Sequence, residues 1–204
     1  IITPNILWSK PYENTSGEMV YRHQFNSGFL NIYAALTFEN MGLYQSDINY
    51  SDQVHLRKES QNTYINADYT QDLGNRWVLE SGIGYGNLID KTHYDVNYIP
   101  NKEKALHIKE KLNKTWSNRI KSILGIEYFD TNFSERFENY TQNVSYGYRS
   151  KMGTGFTETS IAILPNLIAK LGVRGTISNL QSKNIIEPRI SFGYAPNKFN
   201  QFSF

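Results

Sequence analysis

The chain has 204 residues, no cysteine, and 21 Lys plus Arg against 19 Asp plus Glu. A disulfide framework and a cysteine-ligated metal are therefore excluded, and a formal net charge of +2 with no long basic run gives no electrostatic basis for a nucleic-acid partner. Aromatic residues make up 14% of a chain whose mean hydropathy is −0.54, a combination that favours half-buried β-strands over packed helices.

A period of two recurs from the N-terminal third onward. Leu30, Ile32, Ala34, Leu36 and Phe38 alternate with Asn31, Tyr33, Thr37 and Glu39. Ile65, Ala67 and Tyr69 alternate with Asn66, Asp68 and Thr70, and Trp77, Leu79, Ile83 and Tyr85 then share one side. The stretch HIKEKLNKTW alternates poorly and is expected to be a strand because of its neighbours. Ile120, Leu124, Ile126 and Tyr128 oppose Arg119, Lys121 and Glu127; GTGFTETSIAI is again mixed and again placed by its neighbours. Leu171, Val173 and Ile177 oppose Lys170, Arg174 and Thr176, and Ile186, Ile190, Phe192 and Tyr194 oppose Glu187, Arg189 and Ser191. Repeated alternation of this kind predicts an all-β, antiparallel up-and-down meander of about ten strands, each with one apolar and one polar face.

The connections alternate as well. Short turns are expected at NSG, DLGN, KTWSN, LPNL and APNKF, where Gly, Asn and Pro supply hairpin geometry. Longer polar loops are expected at 41–54, 92–104, 131–150 and, shorter, 180–184. Short turns on one side and long loops on the other are the pattern of an outer-membrane β-barrel. The most apolar segment, IAILPNLIA, is interrupted by Pro165 and Asn166 and is too short for a spanning helix, which takes roughly 20 residues. Trp77, Tyr85, Trp116, Tyr128 and Phe129 are candidates for aromatic girdles at the membrane interfaces. The chain begins Ile1-Ile2-Thr3, without a start Met or signal peptide, and reads as a processed or partial sequence. Two other readings fit the alternation: a soluble antiparallel β domain that binds carbohydrate or protein, and a small complete outer-membrane barrel.

At EPRISFGYAPNKFNQFSF the chain resembles the TonB-dependent outer-membrane receptors, especially those of Bacteroidetes. The resemblance rests on Glu187, Pro188 and Arg189, on the turn Pro196-Asn197-Lys198, and on the Ser- and Phe-rich QFSF. The hairpins NADYTQDLGNRWVLESGIGY and LNKTWSNRIKSILGIEYF are similar to the paired barrel strands of that family, and the likeness runs from about Glu18 onward. It implies a barrel of about 22 strands with a plugged lumen, energised through TonB and importing an unspecified nutrient across the outer membrane of a Gram-negative bacterium. Residues 1–204 would then be one partial barrel domain from the centre of such a receptor, its partners being outer-membrane lipid, a plug domain, the remaining barrel strands and TonB. The tail agrees: residues 199–204 amount to about half of the 9–11 residues of a spanning strand, so the sequence reads as cut within a strand.

No catalytic constellation stands out. His23, His55, His93 and His107 lack ligand spacing, Gly82, Gly84 and Gly86 lack the strand-to-helix setting of a dinucleotide loop, and the carboxylates Glu135, Glu138, Asp68 and Glu127 show no pairing pattern. The expectation is a transport segment without cofactor, metal or catalytic residues, and not an enzyme. Ligand contact is expected from the loop aromatics Tyr44, Tyr50, Tyr94, Tyr98, Tyr140, Tyr146 and Tyr148, which can stack and donate a hydrogen bond. Asp68, Glu127, Lys170, Arg174, Glu187 and Arg189 are expected to face the lumen.

Overall fold

A computed structural model describes residues 6–204. The alternating segments form ten strands: β1 Leu7–Gln24, β2 Gly28–Ser46, β3 Gln53–Gly74, β4 Trp77–Tyr94, β5 Asn97–Thr115, β6 Ile120–Glu138, β7 Asn143–Leu164, β8 Leu167–Ser178, β9 Ile185–Asn197 and β10 Asn200–Ser203. They lie in one sheet in sequence order, each antiparallel to the next. The mixed segments HIKEKLNKTW, apart from its last residue Trp116, and GTGFTETSIAI fall within β5 and β7, as their positions predicted. β1 and β10 are the two edges. Among the described residues they do not pair, so the first-to-last closure of a small complete barrel is absent.

Every expected short turn is present, at 25–27, 75–76, 116–119, 165–166 and 198–199. At the 75–76 turn Asn75 and Arg76 both take positive φ, 50° and 62°, the two-residue geometry whose twist matches that of the flanking strands. The Asp72 carboxylate accepts the Gly74 N–H at 2.8 Å and fixes the entry to this turn.

The long loops are corrected. The opposite connections are only 47–52, 95–96, 139–142 and 179–184, and the polar residues expected to form loops instead lengthen the strands. β3 and β7 reach 22 residues, β1 and β4 reach 18, whereas crossing a bilayer takes about 9–11. Paired strand therefore continues well beyond the height of an apolar layer at this extension end.

Register carries one apolar face across the sheet. Tyr21, Ile32, Ala67, Ile83, Ile108, Tyr128, Gly153 and Ile177 form one row of direct cross-strand neighbours. Leu79, Leu112, Leu124, Thr157, Val173 and Pro188 form another. Among the described residues no second layer covers this face: Ile126 is 62% and Ile190 66% exposed, and the buried apolar residues are Leu43, Val54 and Ala169. A soluble sandwich would bury such a face against a second sheet. Trp77 and Trp116 stand at its turn end with ring centroids 6.1 Å apart, and Lys114 Nζ lies 4.6 Å from the Trp77 ring centroid, in the position expected of an interfacial girdle. Phe129 is a correction: its register partners are His107 and Met152, which puts it on the polar face.

The polar face packs closely in one place. The Phe156 ring lies over Gly125, its direct partner in β6, and a Cβ at Gly125 would collide with the ring. Gly125→Ala is expected to displace the ring and destabilise the fold by about 1–3 kcal/mol, measured by denaturant unfolding. An unchanged unfolding midpoint would show that Phe156 has room to move.

Candidate functional site

The polar face brings several ionisable groups into register. Arg22, Asn31, Asp68, Gly82, Lys109, Glu127, Thr154 and Thr176 form one cross-strand row. Glu127 is its centre, with its side chain 9% exposed. Lys109 Nζ from β5 approaches one carboxylate oxygen at 2.5 Å, and Arg174 Nη2 from β8 reaches the other at 3.3 Å. Arg174 does this across the whole of β7, which its long side chain permits. Arg189 and Glu158 border the same hollow of about 230 Å3.

The expected lumen-facing residues all fall on this face, but the structure brings only some of them together. Glu127 and Arg174 are partners, with Arg189 at the same hollow. Lys170 pairs instead with Glu158 at 3.7 Å, and Glu187 pairs with Arg189 at 3.6 Å on exposed β9. Asp68 stands apart and accepts a hydrogen bond from Asn66 Nδ2 at 3.2 Å. Sequence reasoning missed Lys109, which lies in the poorly alternating segment, and the neighbouring Glu80–Lys111 pair.

Beside Asp68 runs a trough floored by backbone. Gly82, Gly84 and Gly86 are successive polar-face positions of β4, with Ala105 next to them on β5. Tyr64, Asn66 and Asp68 form one wall, and His107, Lys109 and Phe129 the other, around about 480 Å3. His107 stacks on Phe129 with centroids 4.0 Å apart, and its Nε2 is buried without a hydrogen-bond partner. Glycine in a strand interior marks a place where other atoms approach the backbone closely. The glycine spacing was visible in the sequence; its confinement to one face of one strand needed the register.

Of the seven tyrosines expected on loops, two lie in connections and five do not. Tyr50 and Tyr140 lie in the connections 47–52 and 139–142, while Tyr44, Tyr94, Tyr98, Tyr146 and Tyr148 belong to strand extensions. Most already have partners. Tyr44 stacks on His55 at 4.4 Å, Tyr98 on His93 at 4.4 Å, and Tyr148 on Phe133 at 5.6 Å. Tyr146 donates its hydroxyl to Glu135 at 2.5 Å. Tyr94 donates to the Asp47 carboxylate, which also accepts the Asn49 N–H at 2.8 Å, and Tyr50 meets the Tyr94 ring edge-on at 6.1 Å. Tyr140, at 89% exposure, is the open one.

The Tyr94 hydrogen bond holds the Asp47 carboxyl below its ordinary range, and the same bond raises the Tyr94 phenol. The Tyr146 phenol is raised likewise by its bond to Glu135.

With the geometry in hand, comparison with known proteins gives one consistent result. No protein-family model matches the chain, and no curated protein sequence matches it significantly. Solved structures do match. The alcaligin outer-membrane receptor FauA of Bordetella pertussis superposes with a TM-score of 0.65 at 14% identity, over 96% of this chain and 41% of that one. The outer-membrane transporter YddB of Escherichia coli gives 0.69 at 11% identity, over 90% and 29%. The RagAB peptide transporter gives 0.67 at 10% identity, over 92% and 30%. The chain thus shares the fold of a segment of these outer-membrane receptor and transporter structures, and it spans between about three-tenths and two-fifths of their length.

Two outcomes follow. Glu127→Gln is expected to destabilise the sheet by roughly 2 kcal/mol, because both charge-assisted bonds are weakened together. A double-mutant cycle with Lys109→Gln should return a favourable coupling, and zero coupling would remove the pair from the account. For the connection 47–52, the lowered Asp47 value means stabilisation present above the unfolded Asp range, about 3.9, and lost as pH falls through the folded value. The raised Tyr94 value places the opposite limit in alkali, where the bond is lost as pH rises past the ordinary phenol range. Amide protection of Tyr50, whose N–H bonds to Asp47 O at 3.1 Å, should follow both limits. Tyr94→Phe should return the Asp47 titration towards its ordinary value, as read by NMR.

Proposed function

We propose that this chain forms part of the barrel wall of a TonB-dependent nutrient receptor in the outer membrane of a Gram-negative bacterium, a transporter and not an enzyme. The observation that carries this reading is the single-layer, ten-stranded meander with an uncovered apolar band on one face, matched along 90–96% of its length to receptor barrels. In hydrocarbon every backbone polar group must be paired internally. The free edges of β1 and β10 are then completed by further barrel strands. The polar face, with the Glu127 cluster and the glycine trough, looks into the lumen and meets the plug. The extension end faces outward from the cell, where Tyr50, Tyr140 and the strand-borne tyrosines Tyr44, Tyr94, Tyr98, Tyr146 and Tyr148 contribute to capture of the nutrient. RagAB, a peptide transporter among the matched structures, supports a Bacteroidetes-type receptor.

The test is depth-dependent stability. Ile83 and Ile108 are direct neighbours within the band. In a folded protein in lipid vesicles, Ile83→Arg is expected to cost about 2–4 kcal/mol, and the same change near the interface about 0–1. Cell fractionation should place the protein with outer-membrane markers. A protein that stays folded and monomeric in detergent-free buffer would overturn the reading.

A further inference from the structure

The glycine trough on the polar face holds acceptors that have nothing to accept. Its floor is open: a Cβ on Gly86 would meet no atom within 4 Å, and one on Gly84 would meet the Tyr64 hydroxyl, at 3.7 Å. Tyr64 therefore leans over the floor, and so does Asp68, whose Oδ1 lies 3.2 Å from where a Gly82 Cβ would stand. Asp68 Oδ2 accepts from Asn66, but among the described residues neither Asp68 Oδ1 nor the Tyr64 hydroxyl has a hydrogen-bond partner. Asp68 joins no ion pair there either. The opposite wall adds the buried, unpartnered Nε2 of His107, an acceptor when the ring proton sits on Nδ1. Nearby cations are committed elsewhere. Lys109 Nζ turns to Glu127 and lies 5.9 Å from the Phe156 ring centroid on β7, and Arg22 donates to Asn31 at 3.3 Å.

The same face is acidic above the trough. Glu18 stands in the row of Tyr64 and Gly86, Glu103 one row further towards the extension end, and Glu39, Asp90 and Glu135 one further still. None of these five carboxylates joins an ion pair among the described residues, and Asp90 Oδ1 is buried without a partner. The cations of the same strand extensions are sorted to the other side: Arg57, Lys91, Lys102, Lys104, Arg136 and Arg149 all stand in outward-facing register. Near the turn end the polar face is different again, because Glu80, Glu127, Glu158 and Glu187 each have a cation. Unpaired charges of one sign along a wall create a potential that concentrates the opposite sign. Here the wall draws cations, and it leads down to the trough.

We propose that the trough binds a guanidinium group of the imported nutrient, with Asp68 as its counter-ion and Tyr64 and His107 as the stacking and accepting walls. The inference rests on the receptor reading given under Proposed function. A guanidinium is flat, permanently charged, rich in donors and without an acceptor, and it stacks on aromatic faces. The trough supplies the complement: an unpaired carboxylate, two further acceptors, the rings of Tyr64 and of His107 on Phe129, and a floor without side chains. An ammonium has no plane to stack and is more strongly hydrated, so it gains less in such a place. The trough begins beside Ile83 and rises past Tyr85 and Leu106, which opens it towards the extension end and the acidic wall. Where this wall meets the plug, the trough remains as a slot along their boundary, on the path of a nutrient passing between the two.

The experiment uses the full-length protein in detergent micelles and isothermal titration calorimetry with N-acetyl-Ala-Arg-Ala-amide, a probe whose one charge is its guanidinium. The parent should bind it about tenfold or more tightly than the matching Lys and Glu peptides. Equal binding of the Arg and Lys peptides, or no binding of the Arg peptide, overturns the proposal. Asp68→Asn, which keeps the shape and removes the charge, should weaken binding by about tenfold or more. Gly86→Ile, whose side chain enters open space in the trough, should weaken it at least as much while the unfolding midpoint stays in place. Glu59→Gln, an equal change in net charge on the outward side of β3, should bind like the parent. Unchanged affinity in either trough variant, or an equal loss in Glu59→Gln, overturns the proposal. A parent that reaches the outer-membrane fraction but ignores the Arg peptide, and is destabilised by Gly86→Ile, assigns the trough to packing against the plug and overturns this inference alone. A parent that stays folded and monomeric in detergent-free buffer overturns the receptor reading itself.

Discussion

Hydrogen bonding between sequence-adjacent strands is the constraint from which the rest of the structure follows. Each strand from β2 to β9 has a hydrogen-bonded neighbour on both sides, and among the described residues β1 and β10 are the edge strands, with much of β9 also open beyond the short β10. A single sheet built this way has no interior of its own, and the few buried apolar residues confirm that no packed core stabilises it. Its cohesion comes from the ladder and from cross-strand side-chain pairs such as Ile83–Ile108 and Leu112–Leu124. An exposed face of that composition is stable only against a medium as apolar as itself.

The two faces therefore obey different rules. On the outward face the medium is indifferent to side-chain shape, and rows such as Leu79–Leu112–Leu124 need only remain apolar. On the polar face each group needs a specific partner. Glu127 illustrates this: it is mostly buried, and the two cations that reach it come from strands on either side, one of them from beyond β7. A buried carboxylate deprived of one such partner is costly, whereas an outward Leu-to-Ile exchange is nearly neutral. The glycine trough adds a different specificity, for shape, because Gly82, Gly84 and Gly86 keep the β4 backbone open on the side where Tyr64 and His107 stand up as walls.

Much of this was legible in the sequence, and the exceptions have physical causes. Alternation identified strands wherever one face met apolar surroundings, and Asn, Gly and Pro marked the five expected short turns, though not the two-residue turn 95–96. It failed above the band because a strand with polar surroundings on both sides has no reason to alternate: Lys102, Glu103 and Lys104 are consecutive, polar and still paired strand. Segments read as loops were strands for that reason. β5 alternated poorly near its turn end because Glu110 and Lys114 stand on the outward side, where Glu110 accepts the Ser81 hydroxyl at 2.5 Å and Lys114 lies over Trp77. Phe129 was assigned to a girdle on residue type alone; one residue of register separates it from Tyr128, which does face outward. Lys109 and the trough stayed hidden because they are defined by residues aligned across β3 to β6, and no single segment contains them.

The replacement of long loops by long strands also alters what the tyrosines can do. A flexible loop must lose conformational freedom before it can hold a ligand, at about 1–2 kcal/mol of backbone entropy per residue ordered. The extensions of β2 to β7 are ordered already by their ladders, and the connections between them are as short as 95–96. Tyr44 on His55, Tyr98 on His93 and Tyr146 on Glu135 are further held by side-chain partners. Such a rim resists the large adjustments of a loop, but any surface it presents is preorganised. The connection 47–52 combines both properties. It is long enough to move, yet Tyr94 reaches across from β4 to bind Asp47 and ties it to the rigid rim. Breaking that bond should therefore change the mobility of the connection while leaving the strands beneath it unchanged.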